Sequence, residues 1–93
     1  MPELSSTTRI VQSSDCAYQL IAEKMVIVYP RERTIHRLDE VGTAIWQFLE
    51  RHHTIDEIVD FVIGEYEIDR ATASGDVNEF VSELIGKKLL SLV

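Results

Sequence analysis

The apolar rhythm of this chain changes once, at Asp39, and that change decides most of what it can fold into. Before Asp39, from Tyr18 onward, the apolar residues are mostly β-branched or aromatic and come in short runs. Residues 18–22 and 25–29 read as strands joined by Glu23-Lys24. The joint lacks the Asn-Gly chemistry of a good two-residue hairpin, so its turn type stays open. Residues 30–33 form a polar break, and residues 34–38 read as a third short strand. After Asp39, which reads as an N-cap, Val41, Ala44, Ile45, Phe48 and Leu49 follow at helical spacing. Thr54 with Glu57 three residues on is a capping box for a second helix, lined by Ile55, Ile58, Val59, Val62 and Tyr66. Asp69 caps a third helix carrying Val77, Phe80, Val81, Leu84 and Ile85, with Lys87 and Lys88 near its end, where cations favour the helix dipole. The expected fold is α+β, a three-stranded antiparallel sheet followed by three helices packed on it.

Ninety-three residues suffice for one domain. Residues 1–15, rich in Ser and Thr, are expected to form a flexible N-terminal arm, and residues 16–93 the domain. The apolar tail, residues 89–93, either packs on the core or extends briefly. No apolar run approaches the ~20 residues that span a bilayer. The first eight residues lack the layout of a secretion signal. The single cysteine, Cys16, fits a reducing compartment, so a cytoplasmic location is expected. The net charge is −7, and residues 39–86 hold twelve carboxylates against only Arg51 and Arg70. Such a surface repels phosphate, which argues against nucleic acid or an anionic membrane as partner. The local basic excess lies at Arg31, Arg33 and Arg37.

Candidate chemistry is sparse. His52 and His53 are adjacent, so on a helix they diverge by ~100° and do not share an ion easily. Cys16 has no base beside it in sequence, and no phosphate-binding loop or nucleophile elbow occurs. Trp46 lies off the main stripe of its helix and is expected at the edge of the core. No catalytic residue, metal site or cofactor is expected. The strands say more. In the second, Met25, Ile27 and Tyr29 point one way and Val26 and Val28 the other, so both faces want cover, from the arm, a second copy or a partner. The third strand leads straight into a helix and should be an edge, with unpaired N–H and C=O groups to which an extended peptide can add. Arg33, His36 and Arg37 lie along or beside that edge, either to block aggregation or to attract an acidic ligand. Five or six added backbone bonds at roughly 1 kcal/mol each do not reach the ~8 kcal/mol of micromolar binding, so adjacent apolar pockets must contribute.

Leu38-Asp39-Glu40-Val41-Gly42-Thr43-Ala44-Ile45-Trp46 resembles the Leu-(Asn/Asp)-x-x-Gly-x-x-Ile-Trp pattern of the PqqD-like family, the peptide-recognition domains of PQQ and related RiPP biosynthesis. Thr54-Ile55-Asp56-Glu57-Ile58-Val59, Glu65-Tyr66-Glu67-Ile68-Asp69 and the run from Asp76 to Leu84 are similar to its later motifs. The likeness covers about residues 18–92. The family often has glycine before the closing apolar pair, where Lys88 stands here, so the end of the third helix is expected to differ. The resemblance implies a winged-helix-like domain that captures the leader segment of a ribosomally made precursor peptide by strand addition. It also implies that the domain presents this leader to a modifying enzyme, often a radical SAM protein, without catalysis of its own. It points to Thr34, Ile35, His36 and Arg37 on the strand and Val77, Phe80, Val81 and Leu84 on the third helix as peptide-binding residues. Two other readings share the fold class, a winged-helix DNA-binding regulator and a homodimeric structural protein. Asp76, Glu79 and Glu83 on the third helix weigh against the former.

Overall fold

The computed structural model describes residues 4–93. Strands β2 (Ala17–Ile21), β3 (Lys24–Tyr29) and β4 (Thr34–Arg37) form the expected antiparallel meander, in the order β2-β3-β4. Helices α1 (Glu40–Phe48), α2 (Ile55–Tyr66) and α3 (Arg70–Gly86) follow it. Each helix starts where the sequence places a cap. Asp39 accepts from the Gly42 N–H, Thr54 and Glu57 close a reciprocal capping box, and Asp69 accepts from the Thr72 N–H. Those bonds to backbone N–H groups hold the Glu57 and Asp69 carboxyls below their ordinary pKa.

The β2–β3 hairpin turns one residue earlier than the sequence suggests. Its corner is Ala22-Glu23, with φ of 52° and 67°. Two left-handed residues in a two-residue loop make a type I′ turn, whose twist matches the strands. Neither side chain favours that region, at a cost of roughly 1–2 kcal/mol per residue. Replacing the pair by Asn-Gly is therefore expected to raise stability by about 1–2 kcal/mol, measurable as a higher urea midpoint at unchanged slope.

The largest departure from expectation concerns the N-terminal segment. Residues 1–3 of the expected arm lie outside the described residues. Within the remainder, Arg9–Gln12 form strand β1, the middle of a second sheet. Its neighbours are β5 (His53–Thr54) and β6 (Leu90–Leu92), the latter from the apolar tail. Ile10 is 0% exposed. The Gln12 N–H donates to the Leu49 carbonyl and the Ser13 N–H to that of Leu89, which tie the segment to both ends of the helical layer.

Trp46 is also corrected. It is 0% exposed, a full member of the core. The buried stripe of α1 is rotated from the one read in sequence and runs through Gly42, Thr43, Ile45, Trp46 and Leu49. Two contacts explain the rotation. The Thr43 hydroxyl accepts from the Met25 N–H at 2.9 Å, docking α1 on β3. The Tyr18 ring meets Trp46 edge-on at 5.4 Å, while Gln12 donates to the Trp46 carbonyl. The inner faces of α2 and α3 match the sequence stripes at Ile55, Ile58, Val59, Val62, Val77, Val81 and Leu84.

The end of α3 keeps a left-handed cap without glycine. Lys88 has φ 65°, and the Leu89 N–H reaches back to the Leu84 carbonyl and that of Lys88 to Ile85. This is the Schellman arrangement, and it turns Leu89 and Leu90 into the core. Here a lysine holds the left-handed cap position that glycine would favour.

Candidate functional site: an open strand edge and the groove beside it

Strand β4 pairs with β3 on one side only. The Leu38 N–H donates to the Met25 carbonyl at 2.9 Å, which fixes the phase of the ladder. Alternation along an antiparallel pair then turns the backbone groups of Thr34 and His36 toward β3. Those of Ile35 and Arg37 face the open edge. Four backbone groups are thus offered there, fewer than the five or six bonds assumed from sequence. Side chains alternate the other way. Thr34 and His36 share the inner face with Tyr29 and Ile27, and Ile35 and Arg37 the outer face with Val28 and Val26. That outer face stays open to solvent, with Ile35 66% and Ile21 52% exposed.

Beside the open edge runs a groove of about 360 Å³ between β4 and α3. Ile35, His36 and Arg37 form its strand wall, and Phe80, Glu83, Leu84 and Lys87 its helix wall, with Leu89 also lining it. Of the eight residues singled out in the sequence, Ile35, His36, Arg37, Phe80 and Leu84 line this groove. Thr34 lies one residue before its strand wall. Val77 and Val81 are both 0% exposed and belong to the core beneath it. Glu83 and Lys87 were missed, although residues 80, 83, 84 and 87 follow the i, i+3, i+4, i+7 rule of a single helix face. Leu38 and Leu89 gave no local signal.

Polar groups at the groove are unevenly used. Lys87 pairs with Glu83 at 3.4 Å across one turn. Arg37, Arg33 and Arg31 make no ion pair with any described residue. The His36 Nε2 atom is buried and lacks a hydrogen-bond partner among the described residues. Elsewhere, His53 approaches Glu57 at 3.3 Å and stacks on Phe48, and His52 approaches Arg9, so both histidines have local structural partners. Burial pushes the Cys16 thiol pKa up, opposed by a hydrogen bond with Ser13 and reinforced by the Asp15 charge. A reactive thiol needs the opposite shift.

A second hollow, of about 310 Å³, opens between the three helices. It shares Asp39 and Phe80 with the groove. Gly42 sets the position of this common wall. A Cβ there would lie 2.9 Å from Phe80 Cε1 and 3.1 Å from the Asp39 carboxylate. The motif's glycine thus lets the Phe80 ring close against the first turn of α1. Burial, and then the charges of Glu40, Glu65 and Asp39, hold the Tyr66 phenol above its ordinary pKa.

Comparison with known proteins gives a consistent picture. The family model described as Coenzyme PQQ synthesis protein D (PqqD) matches residues 24–90. Among solved structures, TbiB1 in complex with the TbiA(beta) leader peptide is 33% identical to this chain. The match covers 87% of this chain and 94% of that one, at a TM-score of 0.81. Lasso peptide synthetase B1, complexed with its leader peptide, is 21% identical over 88% of this chain and 96% of that one, at 0.78. The PqqD truncation of Methylobacterium extorquens PqqCD, a stand-alone RiPP recognition element, is 20% identical over 95% and 94%, at 0.77. At those lower identities the last two establish a shared fold. No curated protein matches the chain.

Proposed function

The chain belongs to the PqqD family, and on that footing we propose that it is a RiPP recognition element, which captures the leader segment of a ribosomally made precursor peptide by strand addition to β4. The observation that carries this reading is the open edge, where the backbone groups of Ile35 and Arg37 face outward beside the β4–α3 groove. The leader peptide in the TbiB1 complex, at 33% identity, supports the ligand class.

The energetics require both parts of the site. Four backbone bonds contribute about 4 kcal/mol net, and ordering the peptide costs about 2–5 kcal/mol. Micromolar binding, at about 8 kcal/mol, therefore depends on peptide side chains burying apolar surface on the exposed Ile35 and the half-buried Phe80. Arg31, Arg33 and Arg37, which make no ion pair with a described residue, favour an acidic leader.

In this reading the domain itself is non-catalytic and presents the bound leader to a separate modifying enzyme in the cytoplasm, of the radical SAM class or another. The raised thiol pKa of Cys16 supports the absence of nucleophilic chemistry. The exposed Asp76, Glu79 and Glu83 on α3 weigh against a duplex partner.

Titration with the leader of a short precursor peptide encoded near this chain's gene tests the proposal. Amide resonances of residues 34–38 are expected to shift, and their failure to move rules out capture at β4. Arg37→Glu reverses one charge at an exposed edge. It is expected to weaken an acidic leader about three- to tenfold, an effect that shrinks as salt rises. Calorimetry at two ionic strengths checks both statements.

A further inference from the structure

The hollow between the helices is not used by strand addition, yet it is the more apolar of the two cavities. The half-buried Val41, Tyr66, Ile68 and Phe80 supply its accessible apolar surface, with the buried Ile45, Val62 and Val77 behind them. Its charged lining residues are Asp39 and Asp76, and no cationic residue lines it. Asp76 is exposed and makes no ion pair with a described residue. Glu40 and Glu65 lie near enough to act on the Tyr66 phenol. An apolar hollow with a carboxylate rim fits one kind of occupant, a bulky apolar group carried next to a positive charge.

The hollow is also next to the groove. Strand β4 runs from Thr34 to Arg37 toward Asp39, and Phe80 and Asp39 adjoin both the groove beside β4 and the hollow. The lack of a side chain at Gly42 keeps the Phe80 ring seated as a partition between the two.

We propose that this hollow is a second subsite, which takes one aromatic or large aliphatic side chain of the same peptide ligand, with a lysine or arginine adjacent to it in the ligand. The assignment rests on the peptide-capture reading for the identity of the ligand. It adds a preference that β4 does not impose. The edge, beside Arg31, Arg33 and Arg37, favours acidic residues, and the hollow favours a cation. The ligand is thus bipartite, an acidic extended stretch and a separate apolar-basic anchor.

Two small molecules test the subsite without a peptide. Phenethylamine carries an aromatic ring and an ammonium group, and 3-phenylpropionate carries the same ring and a carboxylate. Titrated into the full-length labelled chain, the amine is expected to give saturable shifts at Val41, Gly42, Tyr66 and Val77 in the low millimolar range. The carboxylate is expected to bind about tenfold more weakly. Asp76→Lys, an exposed position, should cut amine affinity about fivefold, with a thermal melt confirming that the variant is folded. No saturable shift at those residues, equal binding of the two probes, or unchanged affinity in Asp76→Lys overturns the assignment. These outcomes are read at residues other than 34–38. Failure of the subsite therefore leaves capture at β4 standing, and failure of capture leaves the fragment result unaffected.

Discussion

Replacing Ile35 with proline is expected to lower leader affinity at least about tenfold while the domain stays folded. The asymmetry comes from the phase of the β4 ladder. The Leu38 N–H reaches Met25, so the N–H of Ile35 points away from β3. Proline removes that donor and places its ring where a ligand backbone would lie, at an edge position where proline is tolerated. The lost bond accounts for about 1 kcal/mol, and the displaced ligand strand for at least as much again. The domain loses no ladder bond of its own, and the Ile35 side chain is 66% exposed, so little burial is given up. Ile35→Ala is the control. It keeps the donor and removes only side-chain contact, and its affinity should fall less than that of the proline variant. Calorimetric titration of both, with melting curves, is the measurement. Equal affinities for proline and alanine would rule out strand addition at this residue.

Removing residues 1–14 is expected to unfold the domain, although the family match begins only at residue 24. Strand β1 is the centre of its sheet, and its loss leaves β5 and β6 without a partner. It also strips Ile10 from the core and uncovers Leu89 and Leu90, which are buried behind it. The point variant Ile10→Ala isolates the side chain. Truncating a buried isoleucine costs about 2–5 kcal/mol, a large fraction of the stability of a domain this small. A Tm lower by roughly 10–25 °C is expected. A truncated chain with native circular dichroism and unchanged melting would show that β1 is dispensable.

These two results bear on different layers of the molecule, and the sequence revealed them unequally. The edge character of β4 was legible, because a short strand followed at once by a helix has little chance of gaining a second neighbour. The second sheet was not. The pairing of Ile10 with His53 and Leu92 joins segments from the start, middle and end of the chain. Each is two to four residues long and carries no period of its own. The Ser- and Thr-rich composition around β1 pointed to an arm, and burial of one isoleucine overrode it. Trp46 was misplaced for a related reason. Its helix carries apolar residues over a wide arc, and docking of Thr43 on the Met25 N–H together with Tyr18 on the indole ring selected which part of that arc faces inward.

The groove shows the same division at finer scale. Phe80 and Leu84 were recognisable as a helix face, but around the helix Val77 lies only ~20° from Leu84 and Val81 ~60° from it. Only the approach of β4 to the C-terminal half of α3 separated lining residues from core. The amino-acid order alone determined the change from strands to helices at Asp39, the three helix caps, the meander and the acidic helical surface. Each of these depends on residues within a turn or two of one another. Tertiary structure decided the β5-β1-β6 sheet, the rotation of α1, the seating of Phe80 against Gly42 and the course of the groove. These depend on contacts between distant segments, whose free energy appears only once both partners are in place.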